Sequence, residues 1–470
     1  MDKSLPPEKI FKSYDIRGVY PSEINEEFAV PIIKAIYQVI SDQLETDKPL
    51  KLAVGRDMRL SSPAIFKAVT ETLIELGAQV IDLGIVSTPT FYYAVFKNGY
   101  DGGVQITASH NPKEYNGIKI VRIAPTGLVK IGKSTGMEDI KRLSREGVDL
   151  PKKDGGSMVQ KDGVVIEEVK NSLKIAGHPK LGDYKVVADA ANALGALYIE
   201  ELYNHIPGQL VKMNFELDGT FPVHQADPLQ ADTLVELQKK VVEEKADLGL
   251  APDGDGDRLF FIDEKGQIVP PTIITSLVAR ELLKKHKGAT ILGDIRYIMT
   301  PKKIVEELGG TFVITKVGHA FITEKMHETG GIFAGESSAH YFFKETGNAE
   351  SQLPMILTVL KVMTEEGKSL SQIAKDIKRS HESGETNFRV KNAPEIIDAL
   401  KKEYAEGELN ELDGIAITFA DWRLSVRTSN TEPLLRLNIE AEADGIVEDK
   451  KKKVIELIEK HAQFEEGSTH

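Results

Sequence analysis

The chain has 470 residues, 41% of them hydrophobic and 28% charged, with a formal net charge of −13. That length calls for about three domains, with four possible, and the acidic balance argues against nucleic acid, whose protein footprint is basic. The absence of cysteine excludes disulfides and thiolate metal sites; with no apolar signal core in MDKSLPPEKIF and no 18-residue apolar run, a cytoplasmic location and no membrane partner are expected.

In chain order, Asn25 precedes a helix with Phe28, Ile32, Ile36, Val39, Ile40 and Leu44 on one face, its start left open by Pro31. Residues 51–54 read as a strand before the turn Gly55-Arg56-Asp57. Ser62-Pro63 then predicts a helix to about Leu76, with serine as its N-cap. Gly77 ends it, and 79–83 is the next strand. The runs 103–106 and 117–121 read as buried strands around a polar loop, Thr107-Ala108-Ser109-His110-Asn111-Pro112, which presents a serine at a sheet edge. A serine hydroxyl is a poor nucleophile until a base or a metal activates it. This alternation of strand and helix predicts a parallel or mixed sheet with helices on its faces.

The glycine-rich run 151–157 reads as a boundary. Beyond it a second α/β unit has strands at 185–189, 210–214, 247–251 and 259–263, a helix near 232–245, and a hairpin turn at Glu264-Lys265-Gly266-Gln267. A third unit runs from Val269 to about residue 380, with helices at 273–283 and 301–308 and strands at 289–293 and 311–315. The last unit reads as α+β: strands at 386–390, 414–419, 422–426 and 434–440, and helices at 394–405 and 446–463. Three successive α/β units suggest a repeated architecture.

The sharpest cluster is Asp253-Gly254-Asp255-Gly256-Asp257-Arg258. Carboxylates at alternate positions, with glycines for a tight turn, make an oxygen cage for a hard divalent cation. Glu264 falls where the last ligand of a helix–loop–helix calcium site would sit, but Arg258 replaces its required glycine and the flanks are strands, so Mg²⁺ is expected instead. Arg427-Thr428-Ser429-Asn430-Thr431-Glu432-Pro433 has the donors to hold a phosphate, or is a polar hairpin tip. Gly335-Glu336-Ser337-Ser338-Ala339-His340 offers a carboxylate and hydroxyls suited to sugar hydroxyls. Tyr14-Asp15-Ile16-Arg17-Gly18 and Lys316-Val317-Gly318-His319 are weaker, readable as an exposed charge pair and a turn.

One such loop per domain, in that order, resembles the α-D-phosphohexomutase superfamily, specifically its phosphomannomutase/phosphoglucomutase branch, over essentially the whole chain. The resemblance implies an α/β fold of four domains around a central cleft: three similar α/β domains with mixed sheets and a smaller C-terminal α+β domain. We expect them at 1–158 (phosphoserine), 159–266 (metal), 267–382 (sugar) and 383–470 (phosphate). It implies reversible exchange of hexose 1-phosphate and hexose 6-phosphate through phosphorylated Ser109 and a bisphosphorylated sugar. Hexose 1,6-bisphosphate would act as activator, and Mg²⁺ would sit on the Ser109 phosphate, Asp253, Asp255 and Asp257. Glu336 and Ser338 would contact the sugar, and Arg427, Ser429, Asn430 and Thr431 the substrate phosphate. Tyr14, Arg17, Lys119, Arg258, Arg296, His319 and His340 would line the cleft. Lys119 and His340 are the candidate proton carriers, with His110 holding Ser109. Ser337 and Ala339 depart from the family's usual Gly-Glu-Met-Ser-Gly-His and bear on fine specificity. The expected partner is a small phosphosugar, the chain a monomer or small homo-oligomer. Phosphoglucosamine mutase and a non-catalytic phosphosugar-binding relative are the alternatives.

Overall fold

A computed structural model describes residues 5–428 and 434–464. The chain forms two compact units, one of Met1–Val269 with Ser338–Ile373 and one of Pro270–Ser337 with Ala374–His470. Among the described residues no helix is long and apolar enough to cross a membrane.

The first unit begins with a mixed sheet. Its strands are β1 (Ile16–Val19), β2 (Lys51–Arg56), β3 (Gln79–Ile85), β4 (Gly102–Ile106), β5 (Tyr115–Ala124), β6 (Gly127–Lys130) and β7 (Ser157–Gln160). They lie in the order β1-β5-β4-β2-β3-β7, with β6 beside β5. Strands β4, β2, β3 and β7 are parallel, and β5 returns antiparallel to β4. Alternation along β2 sends Leu52 and Val54 to one face and Ala53 to the other, so helices cover both faces. Helices α1 (Glu26–Gln43) and α2 (Ser62–Glu75) pack on the first face, and α3 (Thr88–Asn98) on the second.

Asn25 caps α1 by accepting the Phe28 N–H at 2.9 Å, and Pro31 lies inside that helix. The serine cap expected for α2 does not form. Ser62 is already helical, with its hydroxyl on Asp57, 2.5 Å away, and Ser61 at the cap position makes no capping bond because its Oγ accepts instead from Asn116 Nδ2 at 2.7 Å. The boundary expected at 158/159 falls within β7, which pairs with β3 through Asp82↔Gln160; we place the change of sheet after Gln160.

A second sheet has β8 (Lys185–Asp189), β9 (Gln209–Met213), β10 (Leu248–Pro252), β11 (Leu259–Asp263) and β12 (Ile268–Val269), in the order β12-β11-β10-β8-β9. In the other unit, β13 (Thr290–Asp294), β14 (Thr311–Thr315) and β15 (Phe333–Gly335) run parallel with β13 in the middle. The three α/β sheets therefore share one core. Three parallel strands come in the spatial order third, first, second, and the third strand runs directly into a chemistry-bearing loop: β4 into 107–114, β10 into 253–258, β15 into the stretch from Glu336. Ligand loops at the carboxyl ends of strands are the rule for open α/β sheets. The C-terminal sheet is antiparallel, its longest strands Trp422–Thr428 and Leu434–Ala441, and the helices Ala393–Glu403 and Asp444–His461 complete its core.

Candidate active site

Ser109 sits in the left-handed region, φ 51°, a conformation that costs a non-glycine residue on the order of 1–3 kcal/mol and persists only where surroundings enforce it. Its N–H donates to Thr107 Oγ1 at 2.9 Å. Its hydroxyl lies 3.0 Å from Asp253 Oδ2 and 3.2 Å from His110 Nδ1. The serine loop and the aspartate loop are in direct backbone contact: a Cβ on Gly254 would stand 2.4 Å from the Ser109 carbonyl oxygen. Gly256, at φ 75°, completes the turn that brings three carboxylates together.

Asp253, Asp255 and Asp257 are buried, and one oxygen from each lies within 4.8 Å of the others. Asp253 Oδ1 accepts the Arg258 N–H at 3.2 Å. Asp255 Oδ2 accepts the Thr88 hydroxyl and Lys119 Nζ, both at 2.6 Å. Asp257 accepts Lys119 through Oδ2, and its Oδ1 lies 3.2 Å from His340 Nε2. Burial and then Asp257 and Asp255 push Asp253 well above the ordinary carboxylate range. Burial also opposes ionisation of Asp257, but Lys119 and His340 outweigh it and hold that carboxyl well below its usual range. Asp255 Oδ1 is buried and accepts no hydrogen bond among the described residues. That orphaned oxygen, in a donor set made only of carboxylates, fits a hard divalent cation.

Cations line the same place. Burial works against the Lys119 charge, yet Asp255 and Asp257 raise its pKa above the ordinary value. Arg17 is held by Asp15, with Nε to Oδ2 at 2.8 Å, and donates to Asn111 Oδ1 at 2.7 Å. Arg258 reaches Asp227 at 3.5 Å and His340 Nε2 at 3.4 Å. His340 Nδ1 lies 3.0 Å from Ser338 Oγ. Burial and then Arg258 and Arg17 drive the His110 pKa well below its usual value. Tyr14 is half-buried beside Asp15.

The other unit gathers a second group. Glu336 Oε1 accepts the Gly318 N–H at 3.0 Å and Arg296 Nη2 at 3.3 Å. Arg296 is itself fixed on Asp294, Nε to Oδ1 at 2.8 Å, and His319 is buried. Arg427 is buried and lies 3.7 Å from Glu385 Oε2. Ser429, Asn430 and Thr431 lie outside the described residues. Glu264 accepts from Ser369 at 2.7 Å and from Ser371 at 2.5 Å, which accounts for it without a calcium ion.

Several residues of the site carry no local signal in the sequence. Thr88 also donates its N–H to the Asp255 carbonyl at 2.9 Å. Gln225 donates to the His110 carbonyl at 2.8 Å, and the neighbouring Ala226 carbonyl accepts the Gly254 N–H at 3.0 Å. Arg59 and Asp57 lie beneath the serine loop. The sequence marks only 55–57 among these stretches, as a turn after a strand.

Models of the four phosphoglucomutase/phosphomannomutase domains match in order: α/β/α domain I at 8–130, domain II at 166–266, domain III at 270–380 and the C-terminal domain at 385–457. The chain is 37% identical to a phosphomannomutase of Methanocaldococcus jannaschii over 96% of this chain and 98% of that protein. It is 34% identical to a phosphomannomutase of Escherichia coli over 92% and 95%. A solved phosphoglucomutase/phosphomannomutase family protein of Burkholderia thailandensis superposes with a TM-score of 0.86 at 28% identity, covering 98% of this chain and 99% of that one. With four family domains in sequence and a relative above a third identical from end to end, this chain belongs to the phosphoglucomutase/phosphomannomutase family.

Proposed function

We propose that this protein reversibly interconverts hexose 1-phosphate and hexose 6-phosphate, acting on mannose and glucose phosphates, with phosphorylated Ser109 as the donor. The observation that carries the reading is the Ser109 hydroxyl 3.0 Å from Asp253, in a cluster of three buried aspartates faced by Lys119 and Arg258. A nucleophile, a cation cage and fixed positive side chains are what phosphoryl transfer needs, because its catalysis is mostly positioning and charge stabilisation.

In the first half-reaction the free hydroxyl of the substrate forms a bond to the Ser109 phosphorus as the P–Oγ bond breaks. The bonding pair leaves with Oγ, the substrate's hydroxyl proton passes to a base, and Oγ takes a proton in return, so that none is gained or lost overall. Hexose 1,6-bisphosphate and unmodified Ser109 result. After the sugar reorients, Oγ attacks its other phosphoryl group and regenerates phosphoserine. Asp253, Asp255 and Asp257 would hold Mg²⁺, which neutralises charge on the transferring oxygens when bound. Lys119 and His340 are the proton carriers, and His110 holds Oγ. We assign Glu336, Ser338, His319, Arg296 and Tyr14 to sugar contacts, Arg17 and Arg258 to the transferring phosphoryl group, and Arg427, Ser429, Asn430 and Thr431 to the other phosphate.

Lys119→Ala and His340→Ala are each expected to lower kcat about 10²- to 10⁴-fold; near wild-type turnover in both removes them from proton transfer. The direct test is turnover of glucose 1-phosphate and mannose 1-phosphate in parallel, with Mg²⁺ and a trace of glucose 1,6-bisphosphate. Conversion of both is expected. No conversion of either, with glucosamine 6-phosphate turned over instead, would overturn the substrate assignment.

A further inference from the structure

Beneath the serine loop lies a guanidinium whose hydrogen bonds go to backbone carbonyls and one carboxylate. Arg59 is 1% exposed, among the largest fully buried side chains described. Its five N–H donors are all engaged. Nε donates to Asp57 Oδ2 at 3.0 Å, Nη1 to the carbonyls of Pro112 at 2.7 Å and Tyr115 at 3.0 Å, and Nη2 to those of Ser109 at 2.8 Å and Asn111 at 2.6 Å. The Phe221 ring covers the guanidinium, 5.1 Å from its carbon. Asp57 is fixed in turn, accepting the Arg59 N–H at 3.0 Å and the Ser62 hydroxyl at 2.5 Å.

This arrangement answers a problem the loop poses. Ser109 is held at φ 51° with its carbonyl turned inward against Gly254, and the carbonyls of Asn111, Pro112 and Tyr115 converge with it on one buried guanidinium. Four converging carbonyls need several donors in fixed directions. A planar guanidinium supplies them, whereas an ammonium supplies three at a single point.

We propose that Arg59 is a positioning residue for the nucleophile: by binding the carbonyls of Ser109, Asn111, Pro112 and Tyr115 it fixes Oγ over the aspartate cluster, with Asp57 as its anchor. Its kinetic consequence rests on the mutase reading; the brace itself does not.

The test compares wild type with Arg59→Lys, which keeps the charge and loses the fork, and with Asp57→Asn, which keeps the shape and weakens the anchor. Each protein is loaded from radiolabelled glucose 1,6-bisphosphate and then given glucose 1-phosphate, and amide exchange of 107–116 is followed separately. Arg59→Lys is expected to slow transfer per labelled molecule about 100-fold while KM moves by less than about threefold. Faster exchange should be confined to 107–116, and Asp57→Asn should show the same pattern, smaller. A merely structural role would lower the fraction labelled, leave transfer per labelled molecule unchanged and spread the exchange across the first sheet; that result overturns the proposal. If Arg59→Lys does not fold, Asp57→Asn decides on the same readouts. A wild type that takes no label overturns the mutase reading, and the exchange comparison still decides the brace.

Discussion

At Gly254 two loops from different sheets touch backbone to backbone, and the residue's missing side chain is what lets them. The Ser109 carbonyl that an added Cβ would strike at 2.4 Å is already bound by Arg59, so it has nowhere to move. Gly254→Ala is expected to cost about 1–3 kcal/mol in stability and to lower kcat at least about tenfold by parting serine from aspartates. Melting temperature and turnover together check it; a variant with both unchanged would show that the contact is dispensable. At this scale the sequence reveals what is contiguous. Asp253, Asp255 and Asp257 fall in five residues, so their cluster can be read directly from the sequence. Arg59 binds carbonyls about 50 positions away, and in a linear reading it is one more charged residue after a strand. Thr88 and Gln225 were hidden for the same reason: each acts on a partner from a different sheet's loop, and Asp227 meets Arg258 31 positions away within its own sheet.

Strands were legible where a short apolar run is bounded by polar or turn-forming residues: 185–189, 259–263 and 311–315 have the observed bounds. Helix α3 escaped because Thr88 to Val95 are all buried, so no helical period of polar residues marks it. Strand β7 escaped for the opposite reason, since all of its residues are exposed. Behind α3, the helix Val164–Ile175 sets Glu168 against Thr90 at 2.6 Å, and burial raises that carboxyl to about 7. Its titratable neighbours Tyr93 and Tyr198 are pushed to about 12 and well above 10.0, so they stay neutral over the range. The unfolded carboxyl ionises near 4.5 and the folded one near 7, so the stability Glu168 contributes is full below about 4.5 and is lost as pH rises to about 7. Glu168→Gln should remove that slope, shifting the wild type-minus-variant difference by about 2–3 kcal/mol between pH 5 and pH 8. Denaturant midpoints at the two pH values check it; parallel profiles would contradict it.

Across the whole chain, the alternation of strand and helix gave three α/β units, but not the neighbour order that places each functional loop after the third parallel strand. That order is set by crossovers, which spacing does not encode. The net charge of −13 misleads about the substrate in the same way, because the site's character comes from Arg17, Lys119 and Arg258 gathered from distant segments. The account turns on Ser109 carrying the phosphoryl group. Wild type and Ser109→Ala should be incubated with radiolabelled glucose 1,6-bisphosphate and Mg²⁺, and the labelled peptide identified. The account predicts one phosphoryl group on Ser109, discharged by unlabelled glucose 1-phosphate, and none in Ser109→Ala. An unlabelled wild type, or equal labelling of the variant, would contradict it.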